Sequence, residues 1–158
     1  MDSLTSYSDK VIISATLTMY LTGNAGGGVW GEPPDSYIQV FAVGEEWDEA
    51  TISWNNAPLA SENISGIWVQ PKMTDEWLTY RWDISRAVVD AIDANNPLRL
   101  ALYSADGEYH SGKYFSSSDW DSPKGRPFLS VVIGKSCDAP DIDCSFLYIP
   151  LANKSNNN

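Results

Sequence analysis

Polar and apolar residues alternate through residues 11–21, VIISATLTMYL, and this alternation constrains the fold more than any other feature of the chain. A period of two is that of a β-strand, whose successive side chains point to opposite faces of a sheet. The apolar set, predicted to face the core, is Ile13, Ala15, Leu17, Met19 and Leu21. The polar set is Ser14, Thr16, Thr18 and Tyr20. This segment therefore predicts an antiparallel sheet with one buried and one solvent-facing side.

Further strand-like segments follow at short intervals and are separated by turn residues. They are residues 37–43, 67–70, 77–82, 98–103, 113–117 and 128–133. One helix is predicted to begin at Asp83 as its N-cap and to end at Asn95-Asn96-Pro97, because Ile84, Val88 and Ile92 recur at helical spacing. Short strands with a single helix predict an all-β, antiparallel sandwich.

The stretch from Glu45 to Pro58, EEWDEATISWNNAP, combines two tryptophans with turn-forming asparagines. Residues 51–54 favour a short strand. We expect Trp47 and Trp54 to pack in the core, because burial removes a large apolar ring from water. The threonine and asparagine side chains can hydrogen-bond the backbone where the chain turns. The chain has seven tryptophans, and most of them are expected to be packing residues.

This stretch resembles the W-x-E-x-T-x-S/T-W-N-N-x-P motif of the DNRLRE (disaggregatase-related) domain family. Two later segments resemble further motifs of that family: Trp82-Asp83-Ile84-Ser85 with Val88 and Val89, and Tyr114-Phe115-Ser116-Ser117 with residues 126–131. Together the matches cover roughly residues 2–134. The resemblance implies a jelly-roll-like sandwich that is noncatalytic, secreted or displayed at the cell surface, and carbohydrate-binding, with alginate as a ligand of some members.

Residues 1–134 are predicted to form this domain, and residues 135–158 a linker or appendage with a disordered tail. Residues 2–7 resemble a segment that lies inside the domain in that family. We therefore expect the chain to lack N-terminal strands and to leave an open sheet edge, through which two copies could associate. Cys137 and Cys144 are spaced to allow a small disulfide-closed loop, and a zinc site is not expected there.

The net charge of −11 narrows the range of partners. Such an acidic surface repels nucleic acid and anionic membranes at long range. It also disfavours a polyanionic glycan, unless the few cations cluster on one face. Neutral glycans and bound cations remain compatible with it. The sequence contains no apolar run long enough to span a membrane.

No catalytic centre is evident from the residue pattern, and we predict that the protein is not an enzyme. The single histidine is His110, and no nucleophile elbow is present. A structural calcium ion is possible, since acidic residues cluster in three places, but the pattern does not assign its ligands. The three clusters are Asp119 with Asp121, Asp106 with Glu108, and Asp138 with Asp141 and Asp143.

Aromatic rings that lie near cations are the candidate ligand-binding residues, since rings stack on sugar faces and cations bind uronate carboxylates. Arg81 lies between Tyr80 and Trp82 in the sequence. The other candidates are Lys113 with Tyr114, Trp120 with Arg126, and Trp30 in a glycine-rich loop. For each of them packing is an alternative role. A structural or adhesive repeat without a glycan site is the alternative function, and a fragment of a polysaccharide lyase or hydrolase is a third reading.

Overall fold

Two antiparallel sheets pack face to face, as the alternation of residues 11–21 predicts, and the all-β sandwich with one short helix is confirmed. The computed structural model describes residues 10–25, 33–105 and 111–135. Its strands are β1 (Lys10–Asn24), β2 (Ser36–Val43), β3 (Ala60–Val69), β4 (Leu78–Asp83), β5 (Leu100–Ser104), β6 (Lys113–Phe115) and β7 (Phe128–Lys135). The α-helix α1 spans Ser85–Asp93, and Pro123–Gly125 forms a turn of 3₁₀-helix.

The longest strand, β1, is the centre of the first sheet, which we call the β1 sheet. One edge of β1 pairs with β4. The other edge pairs with β7 along its first part and with β6 near its end. The second sheet, which we call the β2 sheet, has the order β3-β2-β5. All of these pairings are antiparallel.

The inner face of β1 is apolar, with one exception to the predicted alternation. Ala15 and Leu21 are fully buried in the core. Ile13, predicted to face inward, is 65% exposed, because the pairing with β7 shifts register between Ile12 and Ser14 and Ile12 packs against the core instead. Thr18, on the face predicted to be wet, is also buried. A β-bulge of this kind cannot be read from a period of two.

Two aromatic side chains of β4 connect the sheets through hydrogen bonds. The indole of the fully buried Trp82 donates from Nε1 to the carbonyl oxygen of Ile38, at 3.0 Å. The Tyr80 hydroxyl accepts a hydrogen bond from the backbone N–H of Gln70 at 3.0 Å, and burial raises the pKa of this phenol. These bonds fix β4 against the opposite sheet, since a buried polar group must find a partner.

The helix closes one end of the sandwich, and its start differs from the prediction. Ile84, not Asp83, occupies the N-cap position. The Asp83 carboxylate nevertheless accepts hydrogen bonds from both the backbone N–H and the hydroxyl of Ser85. The helix ends where predicted, because Asn95 adopts φ 51°, a left-handed conformation that asparagine tolerates. Ile84 and Val88 are buried in the core.

Residues 45–58 form a loop, so the expectation of a strand with two core tryptophans is wrong. Trp54 is 93% exposed and Trp47 is 48% exposed. The loop satisfies its own backbone, as the turn chemistry predicted: Asn56 accepts from the N–H and hydroxyl of Ser53 and donates to the Thr51 carbonyl. With those groups already paired, the segment does not need a partner strand.

Candidate functional site

The outer face of the β1 sheet presents rows of side chains that the strand register brings together. Arg81 of β4, Thr18 of β1 and Phe128 of β7 lie side by side in one row. Trp77 directly precedes β4 and lies on the same face as Thr79 and Arg81, since alternate residues of a strand share a face. Arg81 is therefore about 13 Å from Trp77 along the strand.

Three aromatic rings meet at one end of this face, and we call Tyr20, Trp77 and Trp120 the aromatic corner. The Tyr20 and Trp77 rings meet edge to face, with centroids 5.7 Å apart. The Trp77 and Trp120 rings meet at 87°, with centroids 5.9 Å apart. Trp77 is 52% exposed and Trp120 is 38% exposed. Two perpendicular, partly exposed indoles can contact a flat apolar ligand surface.

Gly125 allows the two indoles to approach each other. A Cβ atom at this position would lie 2.5 Å from the Trp77 ring and 2.7 Å from the Trp120 ring. Gly125 is held in place by its own carbonyl, which accepts a hydrogen bond from the buried Ser116 hydroxyl. The loop that carries Trp120 is thus packed onto the sheet rather than extended into solvent.

Polar groups surround the corner and form a shallow cavity of about 160 Å³ beside it. Its lining residues are Leu21, Thr22, Lys72, Asp75, Trp77 and Trp120. The segment that carries Lys72 is bound to the end of β1, because Asn24 donates to the Lys72 carbonyl and accepts from the Lys72 N–H at 2.9 and 2.8 Å. The Lys72 ammonium donates to the Thr74 carbonyl at 2.6 Å. Sugar hydroxyls need donors and acceptors of this kind beside the rings.

The structure brings four of the predicted ligand-binding residues to this face. Trp120 is part of the corner, and Arg126 donates from Nε to the Trp120 carbonyl at 2.8 Å. Tyr114, 57% exposed, pairs with Gly23 of β1 and lies on the face opposite to Phe115, whose ring packs on Trp82. Arg81 lies farther along β4 and is exposed.

Arg81 is a candidate because it lies between two aromatic residues in the sequence, but those two residues are not its spatial neighbours. Tyr80 and Trp82 point into the sandwich, on the face opposite to Arg81. Lys113 also points away from the corner: its ammonium donates to the carbonyls of Pro34 and Ser111, at 2.7 and 2.6 Å. These contacts give Lys113 a role in holding two segments together. The candidate Trp30 lies outside the described residues.

Sequence reasoning missed Tyr20, Trp77 and Lys72. The period of two places Tyr20 in the solvent-facing set of β1, but nothing local indicates a ring partner for it. Residues 77–82 are predicted only as a strand-like segment, and within it Trp77 faces outward while Tyr80 and Trp82 face inward. The odd spacing between Trp77 and Tyr80 was the available signal, because residues three apart on a strand point to opposite faces.

The predicted disulfide and most of the acidic clusters fall on residues that the structure does not describe, so both stay predictions. Among the described residues, no group of three or more His, Cys, Asp and Glu side chains converges on a point that could hold a metal ion. Asp106, Glu108, Asp138, Asp141 and Asp143 lie outside the described residues, as do His110, Cys137 and Cys144.

In the part of the chain that the structure describes, no helix is both long enough and apolar enough to cross a membrane.

An antiparallel sandwich that presents partly exposed tryptophans with cations and other polar groups beside them is typical of carbohydrate-binding domains. The family model described as carbohydrate-binding module family 96 matches residues 3–129, and the chain belongs to that family. The expected class of protein, a carbohydrate-binding module, is thereby confirmed, while the DNRLRE name stays a prediction. No curated protein sequence matches the chain.

Proposed function

We propose that this module is noncatalytic and extracellular and binds a uronate polysaccharide, such as alginate, on the outer face of the β1 sheet. The observation that carries the proposal is the aromatic corner with cationic side chains beside it. Sugar rings would stack on Trp77 and Trp120, whose perpendicular indoles form the walls of the cavity.

The cations of this face favour a uronate. Lys72 lines the cavity, Arg126 lies against the Trp120 loop, and Arg81 lies farther along β4. The planar guanidinium of arginine matches the two oxygens of a carboxylate. A clustered set of cations is the condition under which a chain of net charge −11 can bind a polyanion. Asp75, also in the cavity wall, would accept hydrogen bonds from sugar hydroxyls.

The test is affinity electrophoresis through gels that contain alginate, pectin, chondroitin-like polymer or neutral glucan, with and without calcium. We expect alginate to retard the protein and added salt to weaken the retardation, because ion pairs with carboxylates are screened. Trp77→Ala and Arg81→Ala should each reduce retardation by alginate. Trp54→Ala is the matched control for loss of an exposed tryptophan, and Arg86→Ala, on α1, is the control for loss of an exposed arginine.

Three results would contradict the proposal in different ways. If alginate retards Trp77→Ala as strongly as the wild type, the aromatic corner is not part of the binding site. Retardation by alginate that does not respond to salt would mean that stacking on the sugar rings, and not ionic contact with uronate carboxylates, holds the polymer. A folded protein that no gel retards would favour the other function, a structural or adhesive repeat without a glycan site.

A further inference from the structure

A second group of exposed aromatic rings lies on the opposite side of the molecule, on the outer face of the β2 sheet. Tyr37, Gln39 and Phe41 point outward from β2, because Ile38 and Val40 between them are buried in the core. The register places Trp68 of β3 beside Tyr37, and Tyr103 of β5 beside Gln39. We call Tyr37, Gln39, Phe41, Trp68 and Tyr103 the aromatic strip.

The rings of the strip form two pairs, one on each side of Gln39. Tyr37 and Trp68 have centroids 5.3 Å apart, and Phe41 and Tyr103 have centroids 5.6 Å apart. Trp68 is 61% exposed and Tyr103 is 49% exposed. A face of one sheet thus presents four rings in a row across three strands, which is far more apolar than a solvent-facing sheet requires.

Gly66 shapes the surface of the strip. A Cβ atom on Gly66 would lie 2.6 Å from the Tyr37 hydroxyl oxygen and 3.1 Å from Cε1 of the same ring. The Tyr37 ring therefore packs over Gly66, close to the surface of the sheet, and does not project into solvent. A ring in that position offers its face to a ligand, and a glycine in a strand often marks such a close approach.

The strip is uncharged, whereas charged side chains, among them Lys72 and Arg126, lie beside the aromatic corner. None of its five residues is an acid or a base with a charge near neutral pH. At one end of the sheet the Arg99 guanidinium pairs with the Glu46 carboxylate at 2.8 Å, so these two charges compensate each other. A polyanion would gain no ionic contact on such a surface, whereas a neutral sugar has an apolar face for the rings and hydroxyls for the Gln39 amide.

We infer that the aromatic strip is a second glycan-binding face, selective for a neutral polysaccharide. Pyranose rings stack on the Tyr37–Trp68 and Phe41–Tyr103 pairs, and the Gln39 amide between them binds hydroxyl groups. Because the outer faces of a sandwich point in opposite directions, the module can hold one polysaccharide on each side. This inference does not depend on the function proposed for the aromatic corner.

The experiment is affinity electrophoresis of the full chain in gels of mixed-linkage β-glucan and of glucomannan, followed by calorimetric titration with the polymer that retards it. Trp68→Ala and Gly66→Ala should each weaken binding about tenfold or more, since a well-packed ring often dominates recognition. Gly66→Ala is the sharper variant, because it retains every ring and only displaces that of Tyr37. Salt should have no effect on this binding.

Reciprocal controls separate the two faces. Trp77→Ala should bind neutral glucan normally, and Trp68→Ala should be retarded by alginate to the same extent as the wild type. If neutral glucan retards the wild-type protein but alginate does not, the function proposed for the corner is contradicted and the strip remains supported. Circular dichroism of each variant checks that the sandwich is folded.

The inference is overturned if neither neutral polymer retards the folded protein, or if Trp68→Ala and Gly66→Ala bind like the wild type. It is also overturned if light scattering shows a dimer that Trp68→Ala converts to a monomer. In that case a second copy of the chain, not a glycan, covers the strip.

Discussion

At the scale of single residues, Trp82 contributes most visibly to both the core and the connection between the sheets. It is fully buried, its ring packs on Phe115 at a centroid distance of 5.8 Å, and its Nε1 donates to Ile38. A leucine or phenylalanine would fill part of this volume but could not form the hydrogen bond. This explains why a tryptophan is suited to that position of β4.

Trp82→Phe should lower the free energy of unfolding by roughly 3 kcal/mol, because it removes both packed ring volume and a buried hydrogen bond. Urea denaturation at neutral pH measures this loss. Trp54→Phe is the matched control, and we expect it to change stability by less than about 0.5 kcal/mol, since that ring is 93% exposed. Equal effects of the two substitutions would show that Trp82 is not a core residue.

The Asp83 carboxylate stabilises the start of the helix in a way that depends on pH. Its hydrogen bonds from the Ser85 hydroxyl and, second, from the Ser85 N–H lower the pKa of Asp83 below its ordinary value of 3.8. Because the folded-state pKa lies below the unfolded-state pKa, the stabilisation is complete above the unfolded value. It is lost as the pH falls through the folded value.

Asp83→Asn should therefore be less stable than the wild type at neutral pH, and the difference should shrink as the pH falls below 3.8. Thermal or urea unfolding of both proteins across the acid range measures this convergence. Asp93→Asn, at the other end of the helix, is the control for removing one negative charge from an acidic protein. A difference between Asp83→Asn and the wild type that stays constant with pH would rule out a role for the carboxylate charge.

At the scale of elements, the loop of residues 45–58 shows that a motif can specify a self-contained turn. Asp48 accepts hydrogen bonds from the N–H groups of Ala50, Thr51 and Ile52, through its side chain and its carbonyl. Asn56 closes the other half of the loop through Ser53 and Thr51. Asp48, which is not specified by the motif, and the motif residues Thr51, Ser53 and Asn56 thus build the loop, while its two tryptophans remain accessible.

Asn56→Ala should loosen this loop without affecting either glycan-binding face. Three hydrogen bonds are lost, so we expect faster hydrogen exchange and faster proteolysis within residues 48–56. Retardation by alginate should be unchanged. Asn63→Ala, in β3, is the control for asparagine removal. Equal rates of hydrogen exchange and proteolysis in this loop of the wild type and of Asn56→Ala would contradict the assigned role of Asn56.

At the scale of the whole molecule, the outer faces of the two sheets both carry aromatic rings but differ in charge. The β1 sheet presents rings together with cations, and the β2 sheet presents rings without charge. Strands β3 and β5 lie at the edges of the β2 sheet within the described residues. We propose that an open strand edge allows two copies to pair, as unpaired N–H and C=O groups form a template for another strand.

Light scattering over a range of protein concentrations tests this association. We expect a dimer at high concentration that dissociates on dilution, because a single strand edge buries little surface compared with a permanent interface. The dimer should persist in Trp68→Ala if a strand edge, rather than the aromatic strip, forms the contact. A strict monomer at every concentration would contradict strand pairing.

Local patterns in the sequence determined much of this protein. The period of two in β1, the helical spacing after Asp83 and the turn residues at Asn95 predicted elements that the structure contains. Such signals depend on backbone preferences and on a division into apolar and polar faces, which act over a few residues. A different signal, aromatic residues next to cations in the sequence, placed Arg81, Tyr114, Trp120 and Arg126 among the candidate ligand-binding residues.

Tertiary structure alone decided which aromatic rings are buried and which meet. Trp47 and Trp54 are large apolar residues of the kind that packs in a core, yet they are 48% and 93% exposed. Trp77 and Trp120 are far apart in sequence and meet because Gly125 leaves space between them. Burial depends on what packs against a residue across the fold, and that neighbour is set by strand register rather than by the local sequence.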